Sequence, residues 1–278
     1  MNTEREPQHT TDATDYPELN AVLGKLVADV QAILAENFCG AYLQGSFALG
    51  EADEHSDVDF VIVTRDKISK EQLAQLQAMH KRIYALDVPW AQHLEGSYVS
   101  REQVRHVDPS RAPYPYLDNG ASRLEADNHC NTAVVRWLLR EYGVVLAGPE
   151  PKSLIDPIPA EQLRREALAG IDEYAAWAPE PTEAGAMSRW KQPYLVLTFC
   201  RLLNTLETGR VVSKQEAAEW ALGALDAEWA SLIERALDER ADPWTRVHEP
   251  ADGEAVGQTL AFATYALHEG AARHAQAQ

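Results

Sequence analysis

The chain has 278 residues, enough for one large or two ordinary domains with a sizeable core. Hydrophobic content of 45% and charged content of 24% is ordinary globular usage, which excludes a disordered chain, and no apolar run approaches the roughly 18 residues of a spanning helix. With 25 basic against 43 acidic residues the net charge is −18, which argues against a nucleic-acid backbone as partner and would draw in a cationic one; plain solubility or a salt-tolerant source would explain it equally.

Residues 1–15 are polar and lack the apolar stretch of a signal peptide, so they read as a disordered lead-in. Residues 19–38 repeat apolar positions at helical spacing. A short strand is expected at 40–44, a turn at Gly45 and Ser46, and a strand at 57–64. A helix follows at 69–86, with Ser69 and Gln72 spaced as a capping box, and a third strand at 93–99. Residues 105–122, with Pro109, Pro113, Pro115 and Gly120, read as an irregular loop. A helix at 131–141 ends at Gly143, and "VVLAGPEPKSLIDPIP" reads as a connector. From residue 160 the pattern is helix after helix, with breakers near 179–181, Gly209, Pro243 and Gly253. The expected fold is therefore α/β followed by all-α: a mixed-sheet domain over 16–156, then a helical bundle domain over 157–278. A single α+β domain with a helical tail is the alternative. Cys39, Cys130 and Cys200 are far apart and odd in number, without metal-ligand spacing, which fits a reduced, cytoplasmic setting.

Residues 51–59 hold five carboxylates and no Lys or Arg, and they run into the apolar strand "DVDFVIV". A solvated acidic loop is one reading. The other is a metal site, because Asp57 and Asp59 flank Val58 and alternate residues of a strand share a face. Two aspartates on one face suit a Mg²⁺ ion whose shell is completed by triphosphate oxygens and water. Gly45 lets backbone N–H groups approach a bound group, and Ser46 adds a hydroxyl suited to phosphate. Glu95, the one carboxylate of the third strand, completes a three-carboxylate cluster if that strand lies beside 57–64; alone it would pass for an edge-strand acid.

"GSFALGEADEHSDVDFVIV" resembles the signature of the DNA polymerase β-like nucleotidyltransferase superfamily. "LEGSYVSREQV", "LREYGVVLAGPEP" and "LVLTFCRLLNTLETGRVVSKQEAAEWAL" narrow the resemblance to the AadA-type aminoglycoside O-nucleotidyltransferases, over about residues 19–240. The resemblance implies a Mg²⁺-dependent adenylyl transfer from ATP to a hydroxyl of a small aminocyclitol-like substrate, with release of pyrophosphate. It makes Ser46 a phosphate contact, Asp57 and Asp59 the metal pair, Glu95 the catalytic base, and Arg201 and Lys214 cations for the nucleotide phosphates. Two observations stand beside it. Arg201 is the one charge in the apolar run 194–206, and a buried guanidinium requires an anion, which a structural Asp or Glu could equally supply. Lys214 follows Ser213 at a helix start, where a cation opposes the helix dipole unless an anionic ligand is bound, although Lys70 after Ser69 is placed alike.

The chain departs from the streptomycin-active members of that family. The loop "LDNGASRLEADNHCN" lacks their Trp, Lys191 stands near their acid, and His129 and Asn131 replace aspartates. Spectinomycin is thus favoured over streptomycin. Trp190 and Tyr194 could line a sugar site or belong to the core. The expected enzyme is a monomer that confers antibiotic resistance, binds a cationic small molecule and ATP between its domains, and engages neither nucleic acid nor membrane. The alternatives are adenylyl transfer to a protein or other non-antibiotic acceptor, and a nucleotide-binding module without turnover.

Overall fold

A computed structural model describes residues 13–240 and 246–277, so most of the expected lead-in, and the breaker at Pro243, fall outside the described residues. The chain divides into two units, Met1–Ile158 and Pro159–Gln278.

In the first unit, helix α1 (Pro17–Leu34) buries Leu19, Val22, Leu23, Leu26, Val27 and Val30 along one face, as their spacing requires. It ends four residues earlier than expected, and strand β1 (Phe38–Leu43) begins two residues earlier. The short helix α2 (Gly45–Leu49) follows β1. Strands β2 (Val58–Thr64) and β3 (Leu94–Ser100) are parallel, joined by helix α3 (Lys70–Tyr84), because parallel neighbours need a crossover, and the short helix α4 (Arg101–Arg105) follows β3. The capping box is present: Gln72 N–H donates to Ser69 Oγ at 3.2 Å, and Ser69 N–H donates to Gln72 Oε1 at 3.2 Å.

Three further strands were not expected. β4 (Tyr114–Leu117) lies in the segment read as a loop, β5 (Leu124–Asp127) follows it, and β6 (Val144–Ala147) opens the segment read as a connector. The sheet therefore has six strands in the order β5-β4-β3-β2-β1-β6, antiparallel except at β2–β3. Each missed strand is four residues long; β4 contains Pro115, and β5 buries only Leu124. Partner strands hold them in place, and their own apolar pattern is too short to announce them.

Strand alternation divides the core. Val58, Phe60 and Ile62 pack toward α1 and α3 with Leu76, Met79 and Ile83. Val61, Val63 and Val99 pack on the opposite face with Tyr42, Tyr114 and Leu139, the last on helix α5 (Ala133–Tyr142). Asp57 and Asp59 share the alternation of Val61 and Val63, so they fall on the α5 side.

The second unit is helical: α6 (Ala160–Trp177), α7 (Lys191–Thr208), α8 (Lys214–Ala224), α9 (Ala230–Asp238) and α10 (Gly253–Ala277). α7 is buried nearly all round through Leu195, Val196, Phe199, Cys200, Leu203 and Leu206, as befits the central helix of a bundle. Among the described residues the only β pairings of this unit are the isolated bridges Thr182↔Gly185 and Ser188↔Pro250.

Candidate active site

β1 delivers the chain into a turn at Gly45, where Gln44 N–H donates to Asp59 O at 2.9 Å and fastens the turn to β2. Gly45 has φ +61°, and a Cβ there would stand 1.9 Å from Asp59 Oδ2, so only glycine lets the backbone lie against that carboxylate. The next residue, Ser46, has a buried Oγ without a hydrogen-bond partner in the structure. A buried hydroxyl left so costs about 1–3 kcal/mol, which a bound acceptor or donor would offset.

Asp57 and Asp59 are half-buried on either side of fully buried Val58. The parallel register sets Asp59 directly opposite Glu95. Near them lies Cys130, in the loop after β5, whose thiol is pushed up to about 12, first by burial and then by the charges of Glu95, Asp59 and Asp127. The thiol is thus inert as a nucleophile. Among the described residues no three His, Cys, Asp or Glu side chains form a preformed metal cage.

Glu95 is mostly enclosed, its side chain 14% exposed. Its Oε1 accepts a 2.6 Å hydrogen bond from Tyr116 Oη, which also points at Asp118 Oδ1 at 3.2 Å. His129 Nε2 lies 3.8 Å from the same Oε1, and its ring tilts over Tyr116 at 5.7 Å. Burial and the neighbouring charges of Glu95 and Asp118 hold the Tyr116 phenol far above its ordinary range, so it stays protonated. Tyr116 and Asp118 carried no signal in the sequence because β4 was not recognised. Asn131, by contrast, is fully buried and structural. It donates to Ala112 O at 2.8 Å and to Asp108 Oδ2 at 3.3 Å, and accepts from Arg136 at 2.8 Å.

In the second unit Arg201 lies on α7, and its buried Nε has no hydrogen-bond partner in the structure. Lys214 is the first residue of α8, whose cap is Ser213 Oγ accepting from Glu216 N–H at 3.0 Å. The Lys214 ammonium stands 5.5 Å from the centroid of Tyr194, which precedes Arg201 by seven residues on α7 and so shares its face. Trp190 stacks on Tyr194 at 4.9 Å, and Trp177 meets both rings edge-on. Lys191 is a structural cation. It is fully buried, donates to Trp177 O at 2.8 Å and Glu180 O at 2.6 Å, and lies 4.1 Å from the Trp177 ring, tying off the end of α6. Burial pulls its pKa down, opposed by Glu180. Gly45, Ser46, Asp57, Asp59 and Glu95 thus belong to the first unit, and Arg201 and Lys214 to the second.

Residues 29–103 match the polymerase beta nucleotidyltransferase family, and residues 153–267 match the aminoglycoside adenylyltransferase C-terminal domain. The chain is 23% identical over 243 residues to a spectinomycin 9-adenylyltransferase of Campylobacter jejuni, covering 82% of this chain and 90% of that protein. It is 26% identical over 236 residues to an aminoglycoside (3'')(9) adenylyltransferase of Shigella flexneri, covering 78% and 83%. Its fold matches a spectinomycin adenyltransferase from Enterococcus faecialis, solved with ATP and spectinomycin, at TM-score 0.66 and 15% identity over 89% of this chain and 98% of that one. The mixed-sheet unit and the two family matches define an enzyme of the nucleotidyltransferase class. Within it, residues 153–267 carry the C-terminal domain of aminoglycoside adenylyltransferases, and the chain as a whole is similar to the AadA-type aminoglycoside O-nucleotidyltransferases.

Proposed function

We propose that the protein transfers an adenylyl group from ATP to a hydroxyl of a small aminocyclitol, spectinomycin rather than streptomycin, as an antibiotic-resistance enzyme. The observation that carries this reading is the pairing of Asp59 with Glu95 across the parallel strands, with the backbone of Gly45 pressed against the Asp59 carboxylate. The hard carboxylate oxygens of Asp57 and Asp59 suit Mg²⁺, with ligand oxygens completing its shell, and Glu95 beside them is kept for the proton. When bound, that ion would neutralise phosphate charge as a Lewis acid. The backbone at Gly45 and the unpartnered Ser46 hydroxyl bind phosphate oxygens. Arg201 and Lys214 supply the positive charge that a triphosphate needs. Glu95 takes the proton of the acceptor hydroxyl as it attacks the α-phosphorus, and pyrophosphate leaves.

The acceptor assignment draws on the names of the relatives and on two features of this chain. The negative surface suits a cationic acceptor. Lys191 occupies the neighbourhood of the streptomycin-associated acid, and its ammonium is committed to backbone carbonyls. The test is incubation with labelled ATP, Mg²⁺ and a panel including spectinomycin and streptomycin, recording pyrophosphate release and labelled product. Turnover with spectinomycin well above streptomycin is expected. Turnover with neither would overturn the acceptor assignment.

A further inference from the structure

β3 and β4 pair with Ser97 opposite Tyr116, so Tyr116 is the diagonal neighbour of Glu95 on the same face of the sheet. Its ring is 6% exposed, and its hydroxyl has one proton to give. Two carboxylates compete for that proton, and the shorter bond, 2.6 Å against 3.2 Å, goes to the enclosed Glu95 rather than to exposed Asp118. The tyrosine two residues earlier is a useful contrast. Tyr114 shares the face, but its hydroxyl accepts from Arg136 at 2.7 Å and serves the buried knot behind the site.

We propose that Tyr116 is a positioning residue for Glu95: it pins Oε1 through a short hydrogen bond and so fixes the orientation in which the carboxylate accepts the substrate proton. This rests on Glu95 being the base. A carboxylate at the end of a flexible side chain loses rate when it turns away from the reacting hydroxyl, because proton transfer needs hydrogen-bond reach in the transition state. Tyr116 restricts that freedom through its bond to Oε1. His129, tilted over the Tyr116 ring, covers the pair from the exposed side.

The experiment is a double-mutant cycle in single-turnover assays with ATP, Mg²⁺ and spectinomycin. Tyr116→Phe keeps the ring and should lower the rate about tenfold, with ATP–Mg²⁺ affinity and thermal midpoint nearly unchanged. In the Glu95→Gln background, which has no base to position, the same substitution should cause no further fall. Tyr114→Phe is the control; it should lower the thermal midpoint and cost the same factor in both backgrounds. An unchanged rate for Tyr116→Phe, or an equal fractional loss in both backgrounds, would overturn the proposal while leaving Glu95 as base. Normal turnover of Glu95→Gln alone would overturn both.

Discussion

Arg136 and Arg201 are the two arginines that interrupt apolar helices, one in each unit, and they are buried in opposite ways. Arg136 is 2% exposed, yet it donates to Val104 O, Thr132 O, Gln103 O, Tyr114 Oη and Asn131 Oδ1. Arg201 is less buried, but the structure gives its enclosed Nε no partner. Depth of burial therefore does not track how completely a buried arginine is hydrogen-bonded. Lys191 belongs with Arg136, since two carbonyls occupy its fully buried ammonium. Ser46 belongs with Arg201.

The largest expected effect lies on the anionic side of the same contrast. Asp57→Asn or Asp59→Asn should reduce Mg²⁺-dependent adenylyl transfer to background. The thermal midpoint of the apo protein should hold or rise, because repulsion with Glu95 is relieved. Near-normal turnover in either variant would return residues 51–59 to the solvated-loop reading.

Arg136→Ala comes next, and its effect is on stability. It removes five charge-assisted hydrogen bonds and strands their buried acceptors, so a loss of at least about 3 kcal/mol is expected in urea unfolding. On the proposed function, in which Arg201 meets a nucleotide phosphate, Arg201→Ala should cost little stability and weaken ATP binding about tenfold. If Arg201→Ala destabilises as Arg136→Ala does while ATP binding holds, the distinction between the two arginines collapses.

Much of this contrast could be read from the sequence for Arg201 and none of it for Arg136. Arg201 was visible as a lone charge in an apolar helix. "AVVRWLLREY" gave no hint that Arg136 gathers carbonyls from residues 103 and 104, because those contacts depend on tertiary placement. The same holds across the candidate site. β2 and β3 are seven residues each, and their apolar runs announced them, which made the relation of Asp59 to Glu95 foreseeable. β4 is four residues with a proline inside, so Tyr116, its bond to Glu95 and the roles of Asp118 and His129 were out of reach. Lys191 could be noticed as a departure from its family. Its capping of α6 could not, because the carbonyls it meets belong to residues 177 and 180.

His80 limits the rule that an unpartnered polar atom awaits a ligand. Its Nε2 meets Tyr98 Oη at 2.7 Å, and its Nδ1 is buried without a partner beside Phe60, in the core rather than at the carboxylates. Burial pushes its pKa down to about 3. The unfolded chain, with an ordinary value near 6.5, then binds a proton that the folded chain refuses, and stability falls as pH drops from about 6.5 toward 3. The slope from this residue is at most about 1.4 kcal/mol per pH unit. Urea midpoints at pH 7 and pH 5 should therefore differ less in His80→Gln than in the wild type. An identical difference would mean that the imidazole titrates normally in the fold.

The smallest effect compares the two lysines that begin helices. Lys70 and Lys214 each follow a capping serine at the first position, α3 for one and α8 for the other, and each opposes its helix dipole. Lys70 is exposed, whereas Lys214 is half-buried with its ammonium over Tyr194. Replacing a cation at a helix start by alanine stabilises by about 0.3–1 kcal/mol at low ionic strength, so Lys70→Ala should gain that much. Lys214→Ala should gain less, because it also gives up the contact with the aromatic ring. ATP titration separates the two roles: affinity should fall several-fold for Lys214→Ala and not at all for Lys70→Ala. Equal affinities would make Lys214 a second Lys70, a cation tolerated at a helix start with no phosphate to hold.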